Sequence, residues 1–468
     1  MTGLALGLAA SMRPELAIAA GAGAVFIVLA ARSLPAAFCL FVIATFFDRG
    51  TSSFQGGGVT IVKLLGGLLT LIWLLKILVG ERNVPFLPRS EPILAFAALL
   101  FVGWAIASAG WAEARGQALF GSAGSAFRLA QGTVLLFIVF STFTERRHLW
   151  WLLRSFVAGA MFAALIGIFG VYGTSESVND ARLSGGFDDP NELAAVVVAA
   201  MVFSGFAFVA LRGRASRWLY SAATLVFLFA LAQTDSQAGL VALTVALALA
   251  VVLGGRARAI ITVGALAFVL AAVAYYTFVT DPVAIQTISS QDNVGSRETL
   301  WSVASQVVRD HPVAGVGAGN FVVVEPEYTL SNIDLPRVDL VVRPELAHNS
   351  YLQVLAELGV IGLAAFLTVI ARSLQLARRA AHTFARGGDY ELDMLSRGFL
   401  IGTAAMLVAY FFATNQYEKQ LWLLLAAGPA LLSVALRAHP SAIQDVRRRA
   451  ARPVGSWADA YRTRRAGG

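Results

Sequence analysis

The sequence predicts an all-α polytopic membrane protein of about 12–13 transmembrane helices, with a long, partly helical extracytoplasmic loop before the last three. Three observations carry that expectation. The 468 residues are 57% hydrophobic and only 14% charged, where a soluble domain carries about 25% charged residues. Apolar stretches of span length recur along nearly the whole chain. Arginine collects in every second connection between them.

Taken in order, the apolar stretches fall at 15–31, 34–47, 59–80, 92–109, 126–143, 149–173, 191–211, 217–233, 237–254, 258–280, 348–371, 396–414 and 420–437. The first two are short and separated by Ser33-Leu34-Pro35, so they read as two tilted spans or one broken one. One set of connections holds Arg82 and Arg89, Arg146 and Arg147, Arg212, Arg214 and Arg217, Arg256 and Arg258, and Arg378, Arg379 and Arg386. The positive-inside rule makes that set cytoplasmic. The alternate set is acidic or neutral and faces outward: Asp48, Glu113, 174–190, Asp235 and the long loop 281–347. The chain therefore divides into an N-terminal bundle (1–280), an extracytoplasmic loop (281–347), three further helices (348–437) and a basic cytoplasmic tail (438–468).

A net charge of +8 would raise the question of nucleic acid in a soluble protein. Here the arginines sit between spans and in the tail, so membrane lipids with anionic headgroups are the expected partner, and no nucleic acid. A single cysteine, Cys39, excludes an intramolecular disulfide and a cysteine-based metal site. No internal repeat is visible, which argues against an inverted-repeat transporter.

Three outward-facing stretches hold polar residues that the arginine bias does not explain. ARLSGGFDDPNELAA, 181–195, enters a helix through Asp189-Pro190-Asn191. Its Arg182 either pairs with Asp188 or Asp189 to fold the loop or serves as an anion ligand. In the long loop, Leu300, Trp301, Ala304, Val307 and Val308 recur at helical spacing after Arg297. A guanidinium beside a helix N-terminus suits phosphate. The glycines of Gly315-Val316-Gly317-Ala318-Gly319 follow no strand, so close approach of the backbone to a helix or to lipid is their expected use, and not nucleotide binding. ELAHNSYLQVLAELGVIG, 345–362, places His348 and Asn349 at the mouth of a helix that Asn349 or Ser350 caps. Glu357, nine residues beyond His348, falls on the opposite helix face and reads as a packing contact, a poor candidate for orienting the histidine.

Together these stretches resemble the O-antigen ligase and O-antigen polymerase superfamily of bacterial membrane glycosyltransferases. The matching pieces are R-x-x-G-G-F-x-D-P-N-E at Arg182–Glu192, G-S-R-x-x-x-W at Gly295–Trp301, H-P-x-x-G-x-G-x-G-N-F at His311–Phe321, and A-H-N-S-Y-L-Q-x-x-x-E-x-G-x-x-G at Ala347–Gly362. The resemblance implies an enzyme of the bacterial inner membrane, its active site on the extracytoplasmic face. It implies transfer of a glycan from an undecaprenyl diphosphate carrier to a glycan or lipid acceptor, without cofactor or metal, in cell-surface polysaccharide biosynthesis. Carried over residue by residue, it makes His348 and Arg297 catalytic; Arg182, Asn191, Gln237, Arg343 and Asn349 are the candidate substrate-binding residues beside them. Family members often show S-R-G at the outer end of a middle helix, where TDSQAGLVAL, 234–243, carries Gln237. Either Arg182 or Arg343 replaces that ligand, or the acceptor chemistry differs. The alternatives to a ligase are a polymerase of the same superfamily, a transporter of lipid-linked glycan, and a non-catalytic envelope scaffold.

The chemistry agrees. Substitution at an anomeric carbon expels a diphosphate, so positive charge is needed where negative charge develops. The acceptor hydroxyl must lose a proton, and a histidine, with its ordinary pKa of about 6.5, suits that role.

Overall fold

The computed structural model describes residues 14–47, 60–80, 91–121, 124–170, 182–187, 189–264, 266, 291–331 and 344–440. In chain order the principal helices are α1 (Pro14–Arg32), α2 (Leu34–Ala44), α3 (Ile61–Leu78), α4 (Pro92–Ala107), α5 (Arg115–Phe120), α6 (Ala126–Thr142), α7 (Arg146–Ile168), α8 (Pro190–Ala210), α9 (Arg214–Gln233), α10 (Gln237–Leu253), α11 (Gln291–Asp310), α12 (Phe321–Ser331), α13 (Ser350–Arg386), α14 (Tyr390–Ala409) and α15 (Lys419–Ala438). No strand occurs among the described residues. The protein is an all-α, multi-pass membrane protein.

Among the described residues eight helices are long and apolar enough to cross a membrane, or nine if the pair bent by 103° at Gly254 is one span. The sequence expectation of 12 or 13 also included Leu34–Phe47 and Ala126–Thr142, which are apolar but shorter than 18 residues. Most of the expected span 258–280, Arg343 and the tail from 441 onward lie outside the described residues. Helix α13 runs well past the expected end at 371. Leu376, Ala377, Ala380, Ala381 and Phe384 extend its buried stripe, so packing against protein continues where the apolar run ends.

Helices α8, α13, α14 and α15 form the centre. Helix α14 packs on α8, α10 and α13; α15 packs on α13 and α6; α4 lies against α13, and α2 against α7. In hydrocarbon every backbone group must find a partner within the protein, so helix starts need caps. Ser33, Asp189, Ser236, Asn349 and Asp389 each accept a backbone N–H at the start of α2, α8, α10, α13 and α14. One end of the bundle is tied by ion pairs: Arg146 to Asp389 (2.9 Å) and Glu391 (2.5 Å), Arg372 to Glu91 (2.7 Å) and Arg397 to Asp393 (2.7 Å).

The other end is roofed by the segment 291–331. Val303, Ala304 and Val307 of α11 join Val316, Phe321, Val324, Ala347 and Ala356 in a second small core. The glycine run lies against a break in α13. Gly359 adopts φ 64°, ψ −168° within that helix, a region open essentially to glycine. Across the break Val316 N–H donates to Ala356 O (3.0 Å), Gly317 N–H to Glu357 O (2.8 Å) and Val360 N–H to Pro312 O (2.9 Å). Trp104 Nε1 donates to Leu358 O (2.9 Å). A Cβ on Gly315 would meet the Glu357 backbone, and one on Gly359 the Val313 carbonyl. The glycines serve close approach to a helix.

Candidate functional site

Four of the quoted stretches meet at the roofed end. Asp189 caps α8: its Oδ1 accepts from the Asn191 N–H and Nδ2, both at 2.8 Å. Its Oδ2 stands 4.0 Å from His348 Nδ1. On the other side of the imidazole, Glu345 Oε2 lies 3.5 Å from Nε2. His348 keeps 30% of its side chain exposed, so it remains reachable. Arg297, half-buried on α11, interacts electrostatically with both Asp189 and Arg182. Burial lowers its guanidinium from the ordinary value, Asp189 opposes that shift and Arg182 adds to it. An arginine so placed remains a cation.

Arg182 is positioned by the turn between α9 and α10. Its Nε donates to Thr234 O (2.9 Å) and its Nη2 to Asp235 O (3.4 Å). Of the two sequence readings, a pair with Asp189 does not occur among the described residues, Asp188 lies outside them, and Arg182 keeps its place as a candidate anion ligand. Asn191 is buried; its Oδ1 accepts from Ser236 Oγ (2.6 Å), which in turn accepts from the Gly239 N–H (3.0 Å) to cap α10. Gln237 follows as the first residue of α10 and is exposed beside this knot. Asn349 is buried and accepts the N–H groups of Tyr351 and Leu352, both at 3.0 Å. Asn191 and Asn349 thus build the loops that carry Asp189 and His348. Arg343 lies outside the described residues.

Among the described residues only Asp235 and His348 are non-glycine residues at positive φ, both at 46°. Strained backbone of this kind costs of order 1–3 kcal/mol and collects at functional sites. Here the neighbours hold it in place. The carbonyls of Thr234 and Asp235 are taken by Arg182. Ala347, before His348, is gripped at both ends: its N–H by Gln353 Oε1 (2.8 Å), its carbonyl by Trp301 Nε1 (2.9 Å). Arg297 and Trp301 are one turn apart on α11, so the same face presents the cation and pins the histidine loop.

A cavity of about 400 Å³ opens beside this cluster, lined by Val241, Tyr351, Leu407, Val408, Phe411 and Phe412. Phe411 meets the Trp301 ring edge-on at 5.7 Å. Tyr351 is three residues from His348, and Val241 is one turn along α10 from Gln237.

Residues 222–367 match the family model described as O-antigen ligase. That match supports membership of the O-antigen ligase superfamily. The matched stretch runs from α9 through the roof and past the break in α13, and it contains Arg297, Trp301, His348, Gln353 and Glu357. It leaves out Arg182, Asp189 and Asn191, which the fold brings to the same place. No curated protein matches the chain. Over that stretch the chain resembles O-antigen ligases, and its helices make it a multi-pass membrane protein.

Sequence reasoning missed three contributors: Asp189 and Glu345 as the carboxylates flanking the imidazole, and Trp301 as the clamp on Ala347. Trp301 stood inside a quoted motif. Asp189 reads in the sequence as a helix start, which it also is, and as a candidate partner of Arg182, but not as a neighbour of His348.

Proposed function

We propose that this protein transfers a glycan from a polyprenyl diphosphate carrier to an acceptor hydroxyl at the extracytoplasmic face of a bacterial inner membrane. The observation that carries the reading is the placing of one carboxylate, Asp189, against both His348 and Arg297. Base and cation, distant in sequence, thereby serve one reaction centre. In the reaction the acceptor oxygen attacks the anomeric carbon while its proton passes to the His348 imidazole. The bond from that carbon to the diphosphate oxygen breaks, and the electron pair leaves on the diphosphate. Arg297, with Arg182 beside it, stabilises that charge, and Asp189 steadies the imidazolium that forms. The apolar cavity bounded by Tyr351 and Phe411 suits the first isoprene units of a carrier whose tail stays in the bilayer. The extracytoplasmic face follows from the arginines at Arg146, Arg214, Arg256 and Arg378, which belong to the opposite end of the bundle.

The test is purified protein given a polyprenyl-diphosphate-linked glycan and candidate acceptors, with release of the diphosphate lipid as readout. Wild type releases it, and His348→Ala and Arg297→Ala, folded, do not. No release by wild type, or wild-type rates from both variants, refutes the reading. Offering a lipid-core saccharide and a second carrier-linked glycan in parallel separates ligase from polymerase. The rate is expected to survive EDTA, because every step uses side chains of the chain itself.

A further inference from the structure

Glu357 is the group for which the transfer reading has no use, and it is buried in the middle of a polar network. Its Oε1 accepts from Gln353 Nε2 at 2.6 Å. The backbone N–H groups of Gly319 and Phe321 also bond its carboxylate. Gln353 has no accessible surface, and its Oε1 accepts the Ala347 N–H at 2.8 Å. A chain of hydrogen bonds therefore runs from the glycine run and the start of α12, through Glu357 and Gln353, to the residue before His348.

The direction follows from helix geometry. Side chains on a helix lean toward its N-terminus, and residues four apart stack on one face. Gln353 in the first turn of α13 thus reaches back over the helix mouth to Ala347. Glu357 stands one turn deeper, on the same face as Gln353, and holds the far end of that amide. On sequence grounds Glu357 falls opposite His348, but His348 lies before the first residue of α13, and the link passes through Gln353 and the backbone, not across the helix.

We propose that Gln353 and Glu357 are positioning residues that hold His348 in its left-handed conformation and lock it to the roof segment 315–321. The proposal rests on the transfer reading for its rate measurement but also has a readout of its own. Helix capping needs neither residue, because Asn349 already takes the Tyr351 and Leu352 N–H groups. Packing alone would be served by any apolar side chain of similar size. What Gln353 adds is an acceptor for one N–H and a fixed orientation for that acceptor. What Glu357 adds is the fixing of that amide: an O–H or N–H facing Gln353 would reverse it.

The experiment compares the full-length protein with Gln353→Met, Glu357→Gln and the swapped pair Gln353→Glu with Glu357→Gln. The swap keeps a donor–acceptor match along the chain while each single change breaks one link. Two measurements are made. The first is kcat and KM for carrier release. Each single variant is expected to lose roughly tenfold or more in kcat with KM within about twofold, and the swap to regain most of it. The second needs no substrate: the rate at which diethyl pyrocarbonate modifies His348, followed by peptide mass spectrometry, with exposed His311 as internal reference. That rate is expected to change several-fold in the single variants and return in the swap. Wild-type modification rates at His348 in Gln353→Met and Glu357→Gln would overturn the proposal, as would a swap that melts like wild type yet modifies like the single variants. A wild type without transfer activity would remove the transfer reading and leave the modification arm to decide the positioning role. A single variant that fails to fold is replaced in the comparison by the swap against wild type.

Discussion

Replacing Trp301 by phenylalanine isolates one bond in the histidine clamp. Trp301 Nε1 donates to the Ala347 carbonyl at 2.9 Å, and the same ring meets Phe411 at 5.7 Å and 77°. Phenylalanine keeps the ring contact and loses the donor. Ala347 is wholly buried, so its carbonyl is left without a partner, at about 1–3 kcal/mol. His348 next to it holds φ 46°, a conformation that costs an L-residue roughly 1–2 kcal/mol. Freed of the Trp301 bond, the loop relaxes toward an ordinary conformation and carries the imidazole away from Asp189. If the lost free energy appears in the population of the competent loop, kcat falls by roughly 5- to 150-fold at about 1.4 kcal/mol per decade. The assay is carrier release at saturating donor, with Trp301→Leu alongside to remove the ring as well. A Trp301→Phe rate within about twofold of wild type would mean that the clamp contributes nothing to catalysis.

Four other outcomes are expected. Arg297→Gln loses on the order of 10²–10³ in kcat, and Arg297→Lys keeps the charge but not the planar fork and falls between that and wild type, read in the same release assay. Gly359→Ala cannot hold φ 64°, ψ −168° and drives a Cβ into the Val313 carbonyl, so its melting temperature drops by several degrees at about 1–3 kcal/mol of strain. Glu325, buried with Oε2 unpartnered and its pKa raised by burial, holds its proton more tightly when folded; stability is full below the unfolded value of 4.5 and declines as pH rises through the higher folded value, and Glu325→Gln flattens that decline in melting scans across pH. Gln237→Arg adds a cation beside Arg182 at the start of α10, and tighter donor binding, with a steeper salt dependence, is expected as a lower KM.

Most of the membrane architecture was legible because lipid makes each helix announce itself. Apolar run, cap and arginine pattern coincide at α8, whose Asp189-Pro190 start was read from three residues, and at α13, whose Asn349 cap was read from two. The break at Gly359 was not legible. Nothing in LAELGVIG marks a broken helix; the cause is the chain at 312–317, some forty residues away, laid against it. The extension of α13 beyond Arg372 was hidden for a related reason: its buried stripe packs on protein, so it needs no continuous apolar run. At the site, residue types and the family resemblance named His348 and Arg297 as a base and a cation, and the fold sets both near Asp189. Their separation by Asp189 depends on how α8 and α13 pack through α14, and no local pattern encodes that. The same holds for Arg182: its spacing left open an aspartate partner or an anion, and the fold gave it the carbonyls of Thr234 and Asp235.

Under the proposed transfer, a departing anion would meet guanidiniums whose positions the fold fixes, Arg182 by the carbonyls of Thr234 and Asp235 and Arg297 on α11. Arg297 interacts with both Asp189 and Arg182, and the starts of α8 and α10 add the positive ends of two helices. Asp189 is committed through Oδ1 to capping α8, so only Oδ2 is available to screen the guanidiniums or the imidazole. At 4.0 Å and 3.5 Å, His348 is not tightly bonded to either flanking carboxylate. Such spacing keeps the base reachable and can tighten when charge develops. In the proposed transfer, a diphosphate leaving toward Arg297 and a proton arriving on His348 would give Asp189 a cation on each side. The two strained residues, Asp235 and His348, are the points where the chain is bent to make this meeting possible, and Arg182 on one side and the Ala347 clamp on the other keep them bent.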